Sequence, residues 1–369
     1  MVKCALPIDC SPWSVDQGSR MGWWSWLLVI LFELHLILFN IKFLNINNLG
    51  TGNFNSQRCV NSMNNDKSNL NIENIEFKSD GITLRGRLIT PEENVNLPVL
   101  IMTHGSSATY NMAIIDYAFE ISKSGFAVLV YDHPSIGSSD GNPRVEIELW
   151  RQARGYRDAI SFVEKNSNID SNKINVWGDS FSSWVAMLVS VVDSRVSSLI
   201  IQTTAIGDQF FEYDQEDEYL KKLKNIYYNS NLSEFERDVI GPLPMVSPFP
   251  EVQPSFLNFP QAYKWFIEFG GMPNSNWKNW ITVVTLKTPI KPFPSYLVKF
   301  IKCPTLVIHA MDDEVWRANP EVMGKCYKLI NAPKDFVKID GGHFGLLYPG
   351  SECFYKVLDE NINFLKKYN

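Results

Sequence analysis

The segment VWGDSFSSW contains a serine whose neighbours suit a catalytic nucleophile. Ser180 follows a short apolar run, with Gly178 two positions before it and Ser182 two positions after it. A nucleophilic serine at a sharp strand-to-helix turn needs small neighbours, because the backbone is strained and adjacent elements pass close to it. The N-terminus of the following helix would also stabilise negative charge that develops nearby. The segment therefore predicts a serine that attacks a carbonyl group.

A serine of this kind needs a base to take its proton, and the chain contains five histidines. In hydrolases with this strand–serine–helix turn the base follows the serine in the chain, which leaves His309 and His343. His309 lies inside the apolar run TLVIHA, a pattern typical of a buried strand. His343 lies in GGHFG, a loop from which its ring could reach the nucleophile. We expect His343 to be the base.

The acid that supports the base should lie in the loop after TLVIHA, where the chain reads MDDEVW. Asp312 and Asp313 are adjacent, so their side chains cannot both face one histidine. The other carboxylate could cap the following turn. Position in the chain alone leaves both residues open as the acid.

The negative charge of the reaction intermediate needs backbone N–H donors aimed at it. One expected donor is the amide of Phe181, directly after the nucleophile. The other is the amide of Ser106, in the turn HGSS after the apolar run PVLIMT, where Gly105 permits a tight bend. We expect His104, in the same turn, to be a structural residue of the loop.

Strand and helix patterns alternate from residue 73 onwards, which predicts a mostly parallel sheet with helices on both faces and an antiparallel start. A hairpin turn is predicted at Asp80-Gly81, between two strands of alternating polarity. Further strands are predicted at 98–104, 126–132, 173–178, 198–204, 305–310 and 335–339. Helices are predicted at 111–124, at 144–166, from about 181, at 319–330 and from about 352.

This alternation stops between about 205 and 300, a stretch too long for a structureless loop. We expect a mostly helical cap inserted into the sheet domain. Its aromatic residues could line an apolar acyl pocket or could build the core of the cap itself. They are Phe210, Phe211, Tyr213, Tyr227, Tyr228, Tyr263, Trp265, Phe266, Trp277 and Trp280.

The first 72 residues read as an extension that precedes the hydrolase domain at 73–369. Residues 22–45 are long and apolar enough for a membrane segment, although Glu33 near the middle would be costly in a bilayer. An Asn-rich linker follows. Met63 could start the working protein, and two alternatives for residues 1–62 stay open: a membrane anchor and a translated upstream stretch without such a role.

Charge and cysteine content narrow the classes of partner. The formal net charge is −6 and no basic stripe occurs, so we expect no nucleic acid partner. The six cysteines form no CxxC pair, and no His/Asp cluster has ligand spacing, so neither a metal nor another cofactor is expected. Unpaired thiols favour a cytoplasmic protein, with anchoring through 22–45 as the alternative. Membrane contact is expected only through that segment.

From about residue 73 to the end, the chain resembles α/β-hydrolases of the fungal polyketide-transferase-like group, related to Xaa-Pro dipeptidyl-peptidase and cocaine-esterase type enzymes. The resemblance rests on motifs in a fixed order: DGITLRG, THG, GFAVLVYDHPSIGSSDG, GYRDAISFVE, WGDSFSS, NSNWKNWIT, PTLVIHAMDD and GGHFG. In that family the acid falls three residues after the small residue that ends the strand, here Ala310. The resemblance therefore implies Asp313 as the acid, and it makes Ser182 an expected residue of the serine motif.

Two departures from the family pattern concern loops. The usual Gly-Gly after the serine motif is Ser183-Trp184, which places a bulky ring near the nucleophile. The usual Asp-His-Arg-Gly reads Asp132-His133-Pro134-Ser135. The first departure bears on pocket shape and the second on the conformation of one loop.

These observations predict an α/β-hydrolase fold with a helical cap insertion and the triad Ser180, Asp313 and His343. The chemistry expected is cleavage of an ester, thioester or amide of moderate hydrophobicity through an acyl-enzyme. Two alternatives remain: an acyltransferase with the same triad, and a hydrolase-fold protein that binds a small molecule without catalysis.

Overall fold

The computed structural model describes residues 69–92, 95–210 and 216–369. Within them the chain forms eleven strands and eight α-helices. The strands are β1 Leu70–Ser79, β2 Ile82–Pro91, β3 Leu97–Thr103, β4 Ala127–Tyr131, β5 Glu146–Glu148, β6 Ile169–Asp179, β7 Val196–Gln202, β8 Arg237–Leu243, β9 Ile281–Leu286, β10 Thr305–Ala310 and β11 Lys334–Ile339. The helices are α1 Ile114–Lys123, α2 Leu149–Val163, α3 Ser180–Val192, α4 Glu216–Tyr228, α5 Pro260–Gly270, α6 Pro294–Leu297, α7 Pro320–Leu329 and α8 Glu352–Tyr368.

Eight strands form one sheet in the order β1-β2-β4-β3-β6-β7-β10-β11. β2 pairs antiparallel with β1 and β4, and the other neighbours in the sheet are parallel. The expected α/β-hydrolase fold, with its antiparallel start, is confirmed. The first strand, β1, starts at Leu70.

The inner strands of the sheet are buried on both faces, which explains their nearly continuous apolar sequences. In β3, Val99 and Ile101 pack with α2 and α3 on one face, while Leu100 and Met102 pack with α1 and α8 on the other. All four are fully buried. Each such side chain contributes about 1.5–3 kcal/mol relative to an exposed one. This double burial fixes the carboxyl ends of the strands, where the loops carry the polar residues.

The insertion between β7 and β10 contains the helices α4, α5 and α6 and also two strands. β8 pairs antiparallel with β9, and β9 pairs in parallel with the short strand β5. The resulting three-stranded sheet ties the insertion to the segment before α2. β5 occupies part of the range 144–166 in which a helix was predicted, so α2 begins later than expected, at Leu149. Glu148 caps this helix by accepting from the amides of Trp150 and Arg151.

Two expectations concern features outside the main sheet. Within the described ranges, no helix has the length and apolar character to cross a bilayer. The candidate membrane segment 22–45 and the Asn-rich linker lie outside those ranges, apart from the last residues before β1. Cys303, Cys326 and Cys353 are unpaired.

Candidate active site

Ser180 lies at the sharp turn between β6 and α3, as the sequence predicts. Its φ of 53° is in the left-handed region, which costs energy for a residue with a side chain. The turn requires Gly178, because a Cβ there would lie 2.3 Å from the carbonyl oxygen of Ser182. Such strain at a functional turn holds the serine hydroxyl away from the helix and towards the adjoining cavity, whose lining includes Ser180.

Ser182, which stands where the common motif has glycine, is buried and fully accommodated. Its hydroxyl hydrogen-bonds to the Thr103 hydroxyl and lies 3.3 Å from the Tyr156 hydroxyl. Tyr156 in turn donates to the carbonyl of Trp177 at 2.5 Å. This buried network joins the end of β3, α2 and the serine turn, so the extra hydroxyl stabilises the turn instead of disturbing it.

His343 lies in the loop after β11, and its ring pairs with Asp313. Nδ1 is 3.0 Å from Asp313 Oδ2 and 3.1 Å from Oδ1. The two side chains are only 3% and 2% exposed. Asp313 also accepts from the amide of Val315, and Asp312 is exposed to solvent. The structure therefore pairs Asp313, and not Asp312, with the histidine.

The surroundings of His343 favour its protonated form. Burial alone would lower the pKa of the imidazole, but the Asp313 carboxylate, followed by Asp179 and Glu314, raises the pKa above its usual value. With Nδ1 facing a carboxylate, the ring holds its proton there and presents Nε2 as the acceptor. This is the tautomer that a general base requires.

Glu314 contributes to the site and was not singled out from the sequence. Its Oε2 accepts the backbone N–H of His343 at 2.7 Å. Its position directly after the two aspartates is the one signal that could have indicated it. The contact holds the loop of His343 against the loop after β10. It therefore fixes the position of the His343 backbone, from which the ring projects.

The loop after β3 lies directly against the serine turn. A Cβ on Gly105 would lie 2.7 Å from the Asp179 carbonyl oxygen and 3.2 Å from the Phe181 nitrogen. Ser106, with a φ of 46°, follows in this loop, and both Ser106 and Phe181 line the cavity at Ser180. The two residues that carry the expected backbone donors therefore line the same cavity as Ser180.

The cavity at Ser180 has a volume of about 260 Å³ and is lined mainly by apolar side chains. Of the aromatic residues expected to line an acyl pocket, Trp265 and Phe266 do so. Tyr227 is buried in the main core, and Trp277 and Trp280 line a separate cavity. Phe211 and Tyr213 lie outside the described residues.

Other apolar side chains also line the cavity. Of these, only Trp184 had been singled out from the sequence, for its bulk near the nucleophile. They include Ala108, Trp184, Ile206, Met245, Phe256, Leu257, Phe293, Pro294, Trp316, Phe344 and Leu347. Trp184 donates from its indole to the carbonyl of Pro292 at 2.6 Å and packs edge-on against Phe181. The ring that departs from the family pattern is therefore fixed as part of the cavity wall.

The other described histidines have structural surroundings. Burial lowers the pKa of His133 to about 3 and lowers that of His309. Asp132, beside His133, accepts from the amides of Tyr110 and Ser138, and burial raises the pKa of Asp132 to about 6. The loop that departs from the family pattern is thus closed by its own hydrogen bonds.

Among the described residues, no group of His, Cys, Asp and Glu is arranged to hold a metal ion.

The fold and the site together define a hydrolase whose mostly parallel sheet is covered by helices on both faces. A family model described as the alpha/beta hydrolase fold matches residues 98–349, and the chain belongs to this family. The resemblance to polyketide-transferase-like proteins is also confirmed by the curated relatives.

Two relatives and one solved structure show how the chain compares with known proteins. The chain is 24% identical over 296 residues to the quorum-quenching protein AidA of Acinetobacter baumannii, covering 79% of this chain and 94% of that protein. It is 27% identical over 311 residues to polyketide transferase claH of Penicillium crustosum, covering 80% and 97%. A solved structure of DcsB with its substrate analogue is 25% identical, with a TM-score of 0.60, and the match covers 81% and 99%.

Proposed function

We propose that the protein is a serine hydrolase in which Ser180 is the nucleophile, His343 the general base and Asp313 the supporting acid. The observation that carries this proposal is the buried His343–Asp313 pair, joined at 3.0 and 3.1 Å, whose histidine lines the same cavity as Ser180. A binding protein has no need for a strained serine, a tautomer-fixing carboxylate and an imidazole at one cavity.

The proposed reaction proceeds through an acyl-enzyme. Ser180 Oγ attacks the carbonyl carbon as His343 Nε2 takes the hydroxyl proton, and Asp313 stabilises the imidazolium that forms. The amides of Phe181 and Ser106 donate to the oxyanion. The imidazolium then gives its proton to the leaving alcohol, thiol or amine. Water, activated by the same imidazole, hydrolyses the acyl-enzyme and restores Ser180.

The substrate that suits this cavity has a moderately hydrophobic acyl group. The wall is mostly apolar, and a cavity of about 260 Å³ accepts a small or medium acyl chain. The bond cleaved is an ester, thioester or amide, with a carboxylic ester as the first choice. A relative that is named a polyketide transferase supports the variant in which an acceptor alcohol replaces water.

Covalent labelling tests the nucleophile. A fluorophosphonate probe should label the protein, and Ser180→Ala should abolish the label. Ser190→Ala is a matched control, because Ser190 is on the same helix and its hydroxyl donates to the carbonyl of Met187 within that helix. Undiminished labelling of Ser180→Ala would place the nucleophile elsewhere.

A panel of p-nitrophenyl esters tests the reaction class. We expect turnover of short- to medium-chain esters, with a product ratio that shifts when an alcohol acceptor is added if acyl transfer operates. No turnover of any ester together with no probe labelling would favour a non-catalytic binding protein.

A further inference from the structure

Two buried residues outside the triad each lie two positions before one of the two expected oxyanion donors. Asp179 stands two positions before Phe181, and His104 stands two positions before Ser106. The side chains of His104 and Asp179 are 2% and 3% exposed, and His104 Nδ1 lies 3.3 Å from Asp179 Oδ1. The pair therefore bridges the two backbone segments that carry the donors.

The partners of the His104 ring determine where its protons lie. Nε2 is 2.8 Å from the carbonyl oxygen of Met112, and a carbonyl can only accept, so Nε2 carries a proton. A neutral ring would then turn the lone pair of Nδ1 towards the Asp179 carboxylate. A ring with both protons satisfies both neighbours, and the contact becomes a buried ion pair.

Asp179 holds the loop after β3 through a second contact. The same oxygen, Oδ1, accepts the backbone N–H of Gly105 at 3.0 Å. Gly105 lies between His104 and the proposed donor Ser106, and its lack of a Cβ lets the loop approach the serine turn. Trp265 packs edge-on against the His104 ring from the insertion, which limits movement of the ring.

We propose that His104 and Asp179 form a buried ion pair that sets the spacing of the two oxyanion donors, at Ser106 and Phe181. The inference rests on the proposed serine hydrolase function. Both residues are positioning residues, since they act through the backbone amides beside them.

The charge of the pair affects other titratable groups of the site. Burial raises the pKa of Asp132, and a positive charge on His104 would oppose that rise; Asp179 raises the pKa of His343 after Asp313 does so. Glu314 also raises the pKa of His343. Asp179→Asn should therefore shift the acid limb of kcat/KM to lower pH, because the base becomes neutral at a lower pH.

Histidine ring NMR on the full chain tests the pair without any substrate. With five histidines, the His104 signals can be assigned from their absence in His104→Gln. We expect both ring nitrogens of His104 to be protonated near neutral pH, and Nδ1 to lose its proton in Asp179→Asn. A singly protonated, neutral His104 in the unmodified protein would overturn the ion pair whatever the turnover.

Steady-state kinetics with p-nitrophenyl butyrate test the positioning role. Loss of one oxyanion donor lowers kcat by about 10²–10³-fold. We expect His104→Gln and Asp179→Asn each to lower kcat towards this range with little change in KM, and the double variant to lose less than the product of the two. A kcat for both single variants close to that of the unmodified protein would overturn the positioning role.

Asp193→Asn provides the matched control. Asp193 is also a buried aspartate, 1% exposed, and it pairs with Arg195 at the other end of α3 at 2.7 Å. We expect this variant to lose stability without the fall in kcat or the pH shift. Equal kinetic effects of Asp193→Asn and Asp179→Asn would contradict the inference. If the unmodified protein hydrolyses no ester, the proposed function fails, and the NMR result still decides the ion pair.

Discussion

At the residue scale, Asp312 and Asp313 offer a comparison between two adjacent carboxylates. Asp313→Asn should lower kcat by about 10⁴-fold, because the amide would turn the histidine to the wrong tautomer. Asp312→Asn should leave kcat within about twofold, since surface substitutions away from a site have small effects. Esterase kinetics on both variants provide the measurement, and similar losses in the two would contradict the pairing of Asp313 with His343.

The negative charge of Glu314 should affect the pH dependence of activity, and the direction of the effect follows from the sign of that charge. The base must be neutral to accept a proton, so activity rises as pH passes the raised pKa of His343. Glu314→Gln keeps an acceptor for the His343 amide and removes a negative charge. The pKa of His343 should fall, and the acid limb of kcat/KM should move to lower pH with kcat nearly unchanged.

Glu314→Ala separates the charge from the hydrogen bond. It removes both, and loss of the contact to the His343 amide should also lower kcat, by about 10- to 100-fold, because small displacements of a catalytic group are costly. An unchanged kcat in the Ala variant would show that the loop keeps its place without Glu314.

At the element scale, the strand-to-helix turn at Ser180 depends on a close approach of two backbone segments. Gly178→Ala should destabilise the protein by about 1–3 kcal/mol and remove probe labelling, because its Cβ would meet the Ser182 carbonyl oxygen at 2.3 Å. Gly324→Ala is the matched control in α7, where a Cβ would meet no atom within 4 Å. That change should stabilise the protein by about 0.5–1 kcal/mol. Thermal unfolding and labelling measure both, and a stable, fully labelled Gly178→Ala protein would argue against a tight turn.

At the same scale, the burial and the length of each strand determine whether the sequence could predict it. The inner strands of the main sheet are buried on both faces, so their apolar runs, such as TLVIHA at Thr305–Ala310, predict them directly. β8 is exposed along its length, and β5 has only three residues, so neither has a clear periodic pattern. Both form strands because of pairing with β9, a contact between distant parts of the chain. Such tertiary pairing cannot be read from local periodicity.

At the scale of the whole molecule, the candidate site combines residues from the sheet domain with residues from the insertion. Ser180, Asp313 and His343 follow sheet strands. Residue types and order predicted Ser180 and His343, whereas the family resemblance was needed to choose Asp313 over Asp312. The cavity wall depends on which apolar side chains of the insertion face Ser180. Trp265 and Tyr227 have the same aromatic character, yet one lines the cavity and the other packs in the core. Composition predicts an apolar wall without identifying its members.

This division predicts that changes in the insertion alter substrate choice and leave the chemistry intact. Phe256 lines the cavity and is 40% exposed, so Phe256→Ala should enlarge the cavity at little cost to stability. The ratio of kcat/KM for p-nitrophenyl octanoate to that for the butyrate should rise by about tenfold, the scale of one methylene in an apolar pocket. Phe249→Ala is the matched control, because Phe249 lies in the same segment, is 58% exposed and is absent from the cavity lining. Its ratio should not change, and probe labelling of both variants should match that of the unmodified protein. An equal ratio in the two variants would mean that the bound acyl chain does not lie against Phe256. The insertion would then not select the substrate through this residue.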